Sequence, residues 1–123
     1  MFTLPKSERL HGKSTVSALV SEGRWGYTSG LKYCFVLHPD SCGEAAPSRM
    51  MVSVPKRLFK RAVKRNLLKR RIREAYRTRK SLLVSAPADV MFVYNSKEVL
   101  DFESIRSQVE SILKRIAGNE RQQ

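Results

Sequence analysis

Catalysis by side chains needs nucleophiles, bases or clustered carboxylates at workable spacings, and this chain offers few of them. His11 and His38 fall on different predicted elements, and no Ser, Cys or acid stands in a recognisable nucleophile spacing with either. No HExxH, P-loop or paired DxD motif occurs, and the 11 acidic residues are scattered along the chain. Cys34 and Cys42, with only two histidines elsewhere, make no zinc-ligand spacing and read as reduced thiols. What the chain concentrates is positive charge. Between Pro55 and Lys80 stand 13 of its 24 Lys and Arg residues and a single acid, Glu74.

The chemistry available to such a segment is the binding of anions. Arg dominates from residue 70 onward, and its planar fork grips phosphate oxygens bidentately where Lys offers a point charge. Asn66 adds a neutral donor and acceptor able to read a base edge or a sugar hydroxyl. The balance of the whole chain agrees: a formal charge of +13 and a pI near 10.4 point to a polyanionic partner. A membrane surface would need an apolar span or a helix with a broad, bulky apolar face, and neither is evident.

Such residues act together only if one element holds them on one side. Taking Leu68 as zero and advancing about 100° per residue, Leu68, Ile72, Ala75 and Tyr76 fall between about −20° and +80°, a single apolar stripe. Asn66, Lys69, Arg70, Arg73, Arg77 and Lys80 fall between about 100° and 200°. The stretch "KRAVKRNLLKRRIREAYRTRK", residues 60–80, is thus predicted to be a helix with a core face and a cationic face. A merely solvated face interleaves Glu with its cations as i, i+4 pairs, and this one does not.

Around that helix the remaining elements can be placed. "KSTVSALVSE", Lys13–Glu22, carries Val16, Leu19 and Val20 at helical spacing, and Gly23 is placed to end it. "GRWGYTSG" reads as a Gly-rich connection whose Trp25 and Tyr27 could stack on nucleotides but more simply pack the loop down. "LKYCFVLH", Leu31–His38, and "RMMVSVP", Arg49–Pro55, read as strands of an antiparallel hairpin joined by the turn-rich residues 39–48. "VMFVYN", Val90–Asn95, is continuously apolar, as a strand buried on both faces is. A final helix begins at Asp101 as N-cap, buries Phe102, Ile105, Val109, Ile112, Leu113 and Ile116, and closes at Gly118. Tyr76 and Tyr94 read as core. The order α-β-β-α-β-α over residues 1–123 predicts a single α+β domain, a small sheet-and-helix sandwich. "MFTLPKSERLHG" lacks the apolar core of a signal peptide, so a cytoplasmic protein without a membrane partner is expected.

The order of letters is more specific than the charge. "SVPKRLFKRAVKRNLLKRRIREAYR", Ser53–Arg77, with Ala62, Val63, Arg65, Asn66, Lys69, Arg70, Arg73 and Glu74 at the matching places, resembles the signature region of the protein subunit of bacterial ribonuclease P. The opening "FTLPKSERLHGKSTVSALVSEG" is similar to the N-terminus of that family. The resemblance implies a fold like the second domain of ribosomal protein S5, with a left-handed βαβ crossover formed by the basic helix. It implies a protein that binds a large catalytic RNA, one to one, and helps it remove the 5′ leader of precursor tRNA. The RNA carries the endonucleolytic chemistry, with Mg²⁺ bound mainly by the RNA. Arg65, Asn66, Lys69, Arg70 and Arg73 would contact the catalytic RNA, and Lys56 and Arg57 would extend the patch, with Arg77 on the same helix face. A cleft between the first helix and the sheet would hold the single-stranded leader, with Phe2, Val16, Val20, Tyr33 and Phe35 as candidate lining.

The chain departs from the family pattern in three places. Leu67 stands where a third cation is common, so that one contact is either lost or moved, with Arg71 the nearest replacement; Lys60 replaces a glycine ahead of Ala62; and Val16 and Val20 stand where aromatics are common. Composition alone would equally suit a structural ribosomal-RNA-binding protein. A DNA-binding protein ranks last, since no dimerisation heptad or paired helix-turn-helix is visible.

Overall fold

The computed structural model describes residues 13–37, 48–83 and 88–120. Helix α1 (Lys13–Glu22) is followed by strands β1 (Arg24–Tyr27), β2 (Leu31–Leu37) and β3 (Arg49–Ser53), helix α2 (Ala62–Arg79) with a 3₁₀ turn (Lys80–Leu83), strand β4 (Ala88–Tyr94) and helix α3 (Phe102–Glu120). The strands form one four-stranded sheet in the order β1-β2-β4-β3. β1 and β4 both run antiparallel to β2, and β3 runs parallel to β4.

This is the expected α+β sandwich with two corrections. β2 and β3 are not a hairpin, because β4 lies between them and pairs with both. The physical reason is burial: β4 is apolar on both faces and belongs at the centre, whereas β3 exposes one edge. β3, α2 and β4 therefore form a βαβ unit with the basic helix as its crossover. The second correction is β1, where the glycine-rich residues 24–27 are a strand and not a loop. Gly26 sits under the Tyr33 ring, and a Cβ there would come within 2.4 Å of it, so glycine marks a close approach inside a strand.

Strand alternation gives the sheet two unlike faces. Leu31, Tyr33 and Phe35 of β2, Met50 and Val52 of β3, and Ala88, Val90, Phe92 and Tyr94 of β4 form one face. Against it pack Leu68, Ile72, Ala75 and Tyr76 of α2 and Ile105, Val109, Ile112, Leu113 and Ile116 of α3, all inaccessible to solvent. Among the described residues, the other face carries a small buried cluster, Leu19 of α1 on Cys34 and Met91, with Val36, Met51 and Val93 half-buried around it. Burial pushes the Cys34 thiol pKa up, with Lys32 opposing.

The ends of α3 follow the sequence pattern only in part. Asp101 caps it, its Oδ1 accepting from the Ser104 amide at 2.9 Å. Gly118 does not close the helix, which continues through it to Glu120.

Candidate nucleic-acid interface

α2 is anchored by its apolar stripe, and its N-terminus has no side-chain cap on the extended Arg61. The brace comes from within the helix: Arg65 Nη1 donates to the carbonyls of Phe59 at 2.7 Å and Lys60 at 2.8 Å. Arg65, expected to contact RNA, thus spends that nitrogen on the strand-to-helix turn, at the point where Lys60 replaces the glycine. Arg71, the cation nearest to the position that Leu67 leaves uncharged, is also engaged: its Nη1 donates to the Leu100 carbonyl at 2.5 Å and ties α2 to the entry of α3. Leu67 itself is half-buried.

The C-terminal part of the face is paired as well. Arg77 grips the Glu74 carboxylate through two nitrogens, one of them Nε at 3.0 Å, and this hydrogen bonding holds the Glu74 pKa below the usual carboxylate range. Arg77, expected on the RNA-facing side of the helix, is held in an ion pair with Glu74. Arg79 reaches Glu110 of α3 at 3.4 Å.

What remains is a coherent surface. Lys56 and Arg57 lie exposed on the turn after β3, followed by Lys60, Arg61, Lys64, Asn66, Arg70 and Arg73, all exposed, with Lys69 half-buried. Among the described residues no carboxylate pairs with any of these cations. Val63 lies 79% exposed in the first turn, an apolar contact beside the cations. Of the expected RNA-facing residues, Lys56, Arg57, Asn66, Arg70 and Arg73 are exposed and Lys69 is half-buried, while Arg65 and Arg77 are drawn into internal bonds.

The second expected surface is rearranged. Tyr33 and Phe35 share a strand face, with ring centroids 6.2 Å apart, but it is the face covered by α2 and α3, and both side chains are buried. α1 lies on the opposite face, over Cys34, so Tyr33 and Phe35 do not line a cleft between α1 and the sheet. Val20 is exposed on α1; Phe2 and the Val16 side chain lie outside the described residues. Among the described residues, Trp25 and Tyr27 present aromatic surface on the α1 side, and they stand out from a strand where the glycine-rich pattern predicts a packed loop. Trp25 is 40% and Tyr27 59% exposed, with the Lys32 ammonium 4.6 Å and 5.6 Å from the two ring centroids. Their i, i+2 spacing is the signal of a shared strand face, masked in the sequence by the flanking glycines.

A metal centre in the protein has no support in the donor set: among the described residues no three His, Cys, Asp or Glu side chains lie together. No described helix is long and apolar enough to cross a membrane.

Comparison with known proteins converges. The sequence matches the Ribonuclease P family over residues 4–117. It is 39% identical to the ribonuclease P protein component of Porphyromonas gingivalis, over 96% of this chain and 89% of the relative. With the component from Chlorobaculum tepidum it shares 34% identity over 94% and 84% of the two chains. The solved RNase P protein of Thermotoga maritima superposes with a TM-score of 0.74 at 25% identity, covering 89% of this chain and 97% of that one. The Staphylococcus aureus protein, 22% identical, gives the same TM-score of 0.74 over 89% and 95%, a likeness of fold.

Proposed function

We propose, on the premise that this chain belongs to the ribonuclease P protein family, that it works by docking the unpaired cationic face of α2 on the catalytic RNA of that tRNA-processing enzyme. The carrying observation is that Lys56, Arg57, Asn66, Arg70 and Arg73 are held exposed on the turn and helix of the βαβ crossover, beside a helix stripe buried to zero exposure. Repulsion among these cations gives folding nothing, whereas each one that meets a phosphate releases a counterion. Lys69 joins them, Arg65 supports the turn from behind, and Arg77 holds Glu74.

In this reading the RNA performs the hydrolysis and holds Mg²⁺, which supplies the charge stabilisation and activated water such cleavage needs. The protein binds one to one in the cytoplasm, lowers the repulsion between RNA segments and presents the α1 side of its sheet to the leader. A structural ribosomal-RNA-binding role would need the same cations but no effect on leader removal. The test follows: protein, its catalytic RNA and a precursor tRNA are combined at low Mg²⁺, and the cleavage rate is compared with RNA alone. Faster leader removal with the protein is expected; an unchanged rate would refute the proposal.

A further inference from the structure

We infer that one flank of α2 and the loop between β4 and α3 together form a site for an unpaired base of the catalytic RNA, lined by Val63, Leu67 and Val99. The inference rests on the proposed function and deepens it, because it assigns to the RNA a contact made without charge. With Leu68 at zero on the helical wheel, Val63, Leu67 and Arg71 fall at about 220°, 260° and 300°, next to Arg70 at about 200°. This flank borders the cationic face without belonging to it. Its cation, Arg71, is spent on the fold: Nη1 donates to the Leu100 carbonyl at 2.5 Å and so draws the loop against the helix.

The loop is fastened as well as drawn in. The Tyr94 hydroxyl donates to the Glu98 carbonyl at 2.5 Å and accepts from the Leu100 amide at 2.9 Å, while the Glu98 amide donates to Ser96 Oγ at 3.1 Å. The Tyr94 ring meets Phe59 edge-on, with centroids 5.7 Å apart, which joins the loop to the turn that precedes α2. Helix, turn and loop are thus tied together where Val63 is 79% and Val99 40% exposed and Leu67 is half-buried. A single exposed valine needs no partner. Apolar side chains gathered by such bonds make a surface that gains free energy when something from outside covers it.

Charge around the patch selects what that is. Lys60, Arg61, Lys64 and Arg70 stand exposed on the helix side and Lys97 on the loop side, and among the described residues none of them pairs with a carboxylate. An apolar centre within a cationic rim matches a nucleotide, which offers the flat face of a base between two phosphates. Glu98, exposed between Lys97 and Val99, adds an acceptor for the amino and ring N–H donors of a base edge, donors that a phosphate lacks. A stacked duplex hides the faces of its bases, so the base comes from a loop, bulge or end of the RNA. Leucine at position 67 suits this use: a cation there would seek a phosphate, whereas Leu67 gives a base an apolar seat.

The experiment measures binding of the full chain to its catalytic RNA over a range of salt, and probes the bound RNA with dimethyl sulfate and a carbodiimide, which together modify the pairing edges of unpaired bases. Val63→Ala and Val99→Ala should each weaken binding about 3- to 10-fold. The factor should be the same at every salt concentration, because no phosphate contact is lost. Wild-type protein should protect an unpaired base, and both substitutions should restore its reactivity while leaving the unfolding midpoint in place. A flatter salt slope would make the contact one with phosphate, and a lowered midpoint that accounts for the lost affinity would make the valines part of the fold; either result overturns the inference. Unchanged affinity with an unchanged footprint would overturn it too and leave the patch to a protein partner, while a wild-type protein that still accelerates leader removal would leave the proposed function standing.

Discussion

α2 and α3 lie side by side on the same face of the sheet, are 18 and 19 residues long, and bury comparable apolar stripes, yet their outer faces differ in kind. On α3 two of the three cations pair with acids of the same helix, Arg106 with Glu103 at 2.6 Å and Lys114 with Glu110 at 3.2 Å, and Arg115 donates to the Tyr27 carbonyl. α2 has a single acid of its own, Glu74, which Arg77 takes, and Arg79 reaches across to Glu110 of α3. α3 shows a charged face of this chain on which acids and bases are interleaved. The unanswered charge on α2 is the difference on which the proposed docking of RNA rests, with α3 as the supporting helix.

The comparison breaks first in the core, where the helices should behave alike. Ile72→Ala on α2 and Ile112→Ala on α3 each remove a fully buried side chain, and each should cost roughly 2–5 kcal/mol by denaturant unfolding. A much smaller cost for Ile72→Ala would mean that α2 is not anchored by its stripe. The outer faces should then diverge. Arg70→Ala and Arg73→Ala should leave the unfolding midpoint near wild type, weaken binding to the catalytic RNA, and each lower the log–log salt slope by about 0.7–0.9. Lys114→Ala on α3 should change neither. Equal losses of RNA affinity from Arg73→Ala and Lys114→Ala would dissolve the distinction between the helices.

Much of this is legible in the sequence, and the misses have physical causes. The stripe of Leu68, Ile72, Ala75 and Tyr76 is a local periodicity, and all four are buried as it predicts. Sheet order is not local: residues 31–37 and 49–53 are successive strands in sequence, but the apolar β4 separates one from the other. Tyr33 and Phe35 share a face as alternation requires, but which face α1 covers depends on tertiary packing that no strand pattern contains. Arg65 is readable from the helix geometry alone. On the same helical wheel it projects at about 60°, within the span of the apolar stripe and not among the cations, and its guanidinium bonds back to Phe59 and Lys60. Family letter order marks a position as important without saying whether it grips a partner or the fold.

The smallest predicted effect lies where the two helices meet. Glu110 accepts from Lys114 on its own helix and from Arg79 on α2, and these hydrogen bonds, Lys114 first, hold its pKa below the ordinary 4.5. A carboxylate depressed in the folded state adds stability above its unfolded pKa and loses it as pH falls through the folded value. Glu110→Gln should accordingly melt slightly below wild type at neutral pH, and the two should converge on acidification well below pH 4.5. RNA affinity should stay near wild type throughout, because Arg79 sits at the far end of α2 from Lys56, Arg57 and Arg61. A clear gain in RNA affinity on freeing Arg79 would extend the binding face to the end of α2, and the line between the binding helix and the supporting helix would have to be redrawn at that residue.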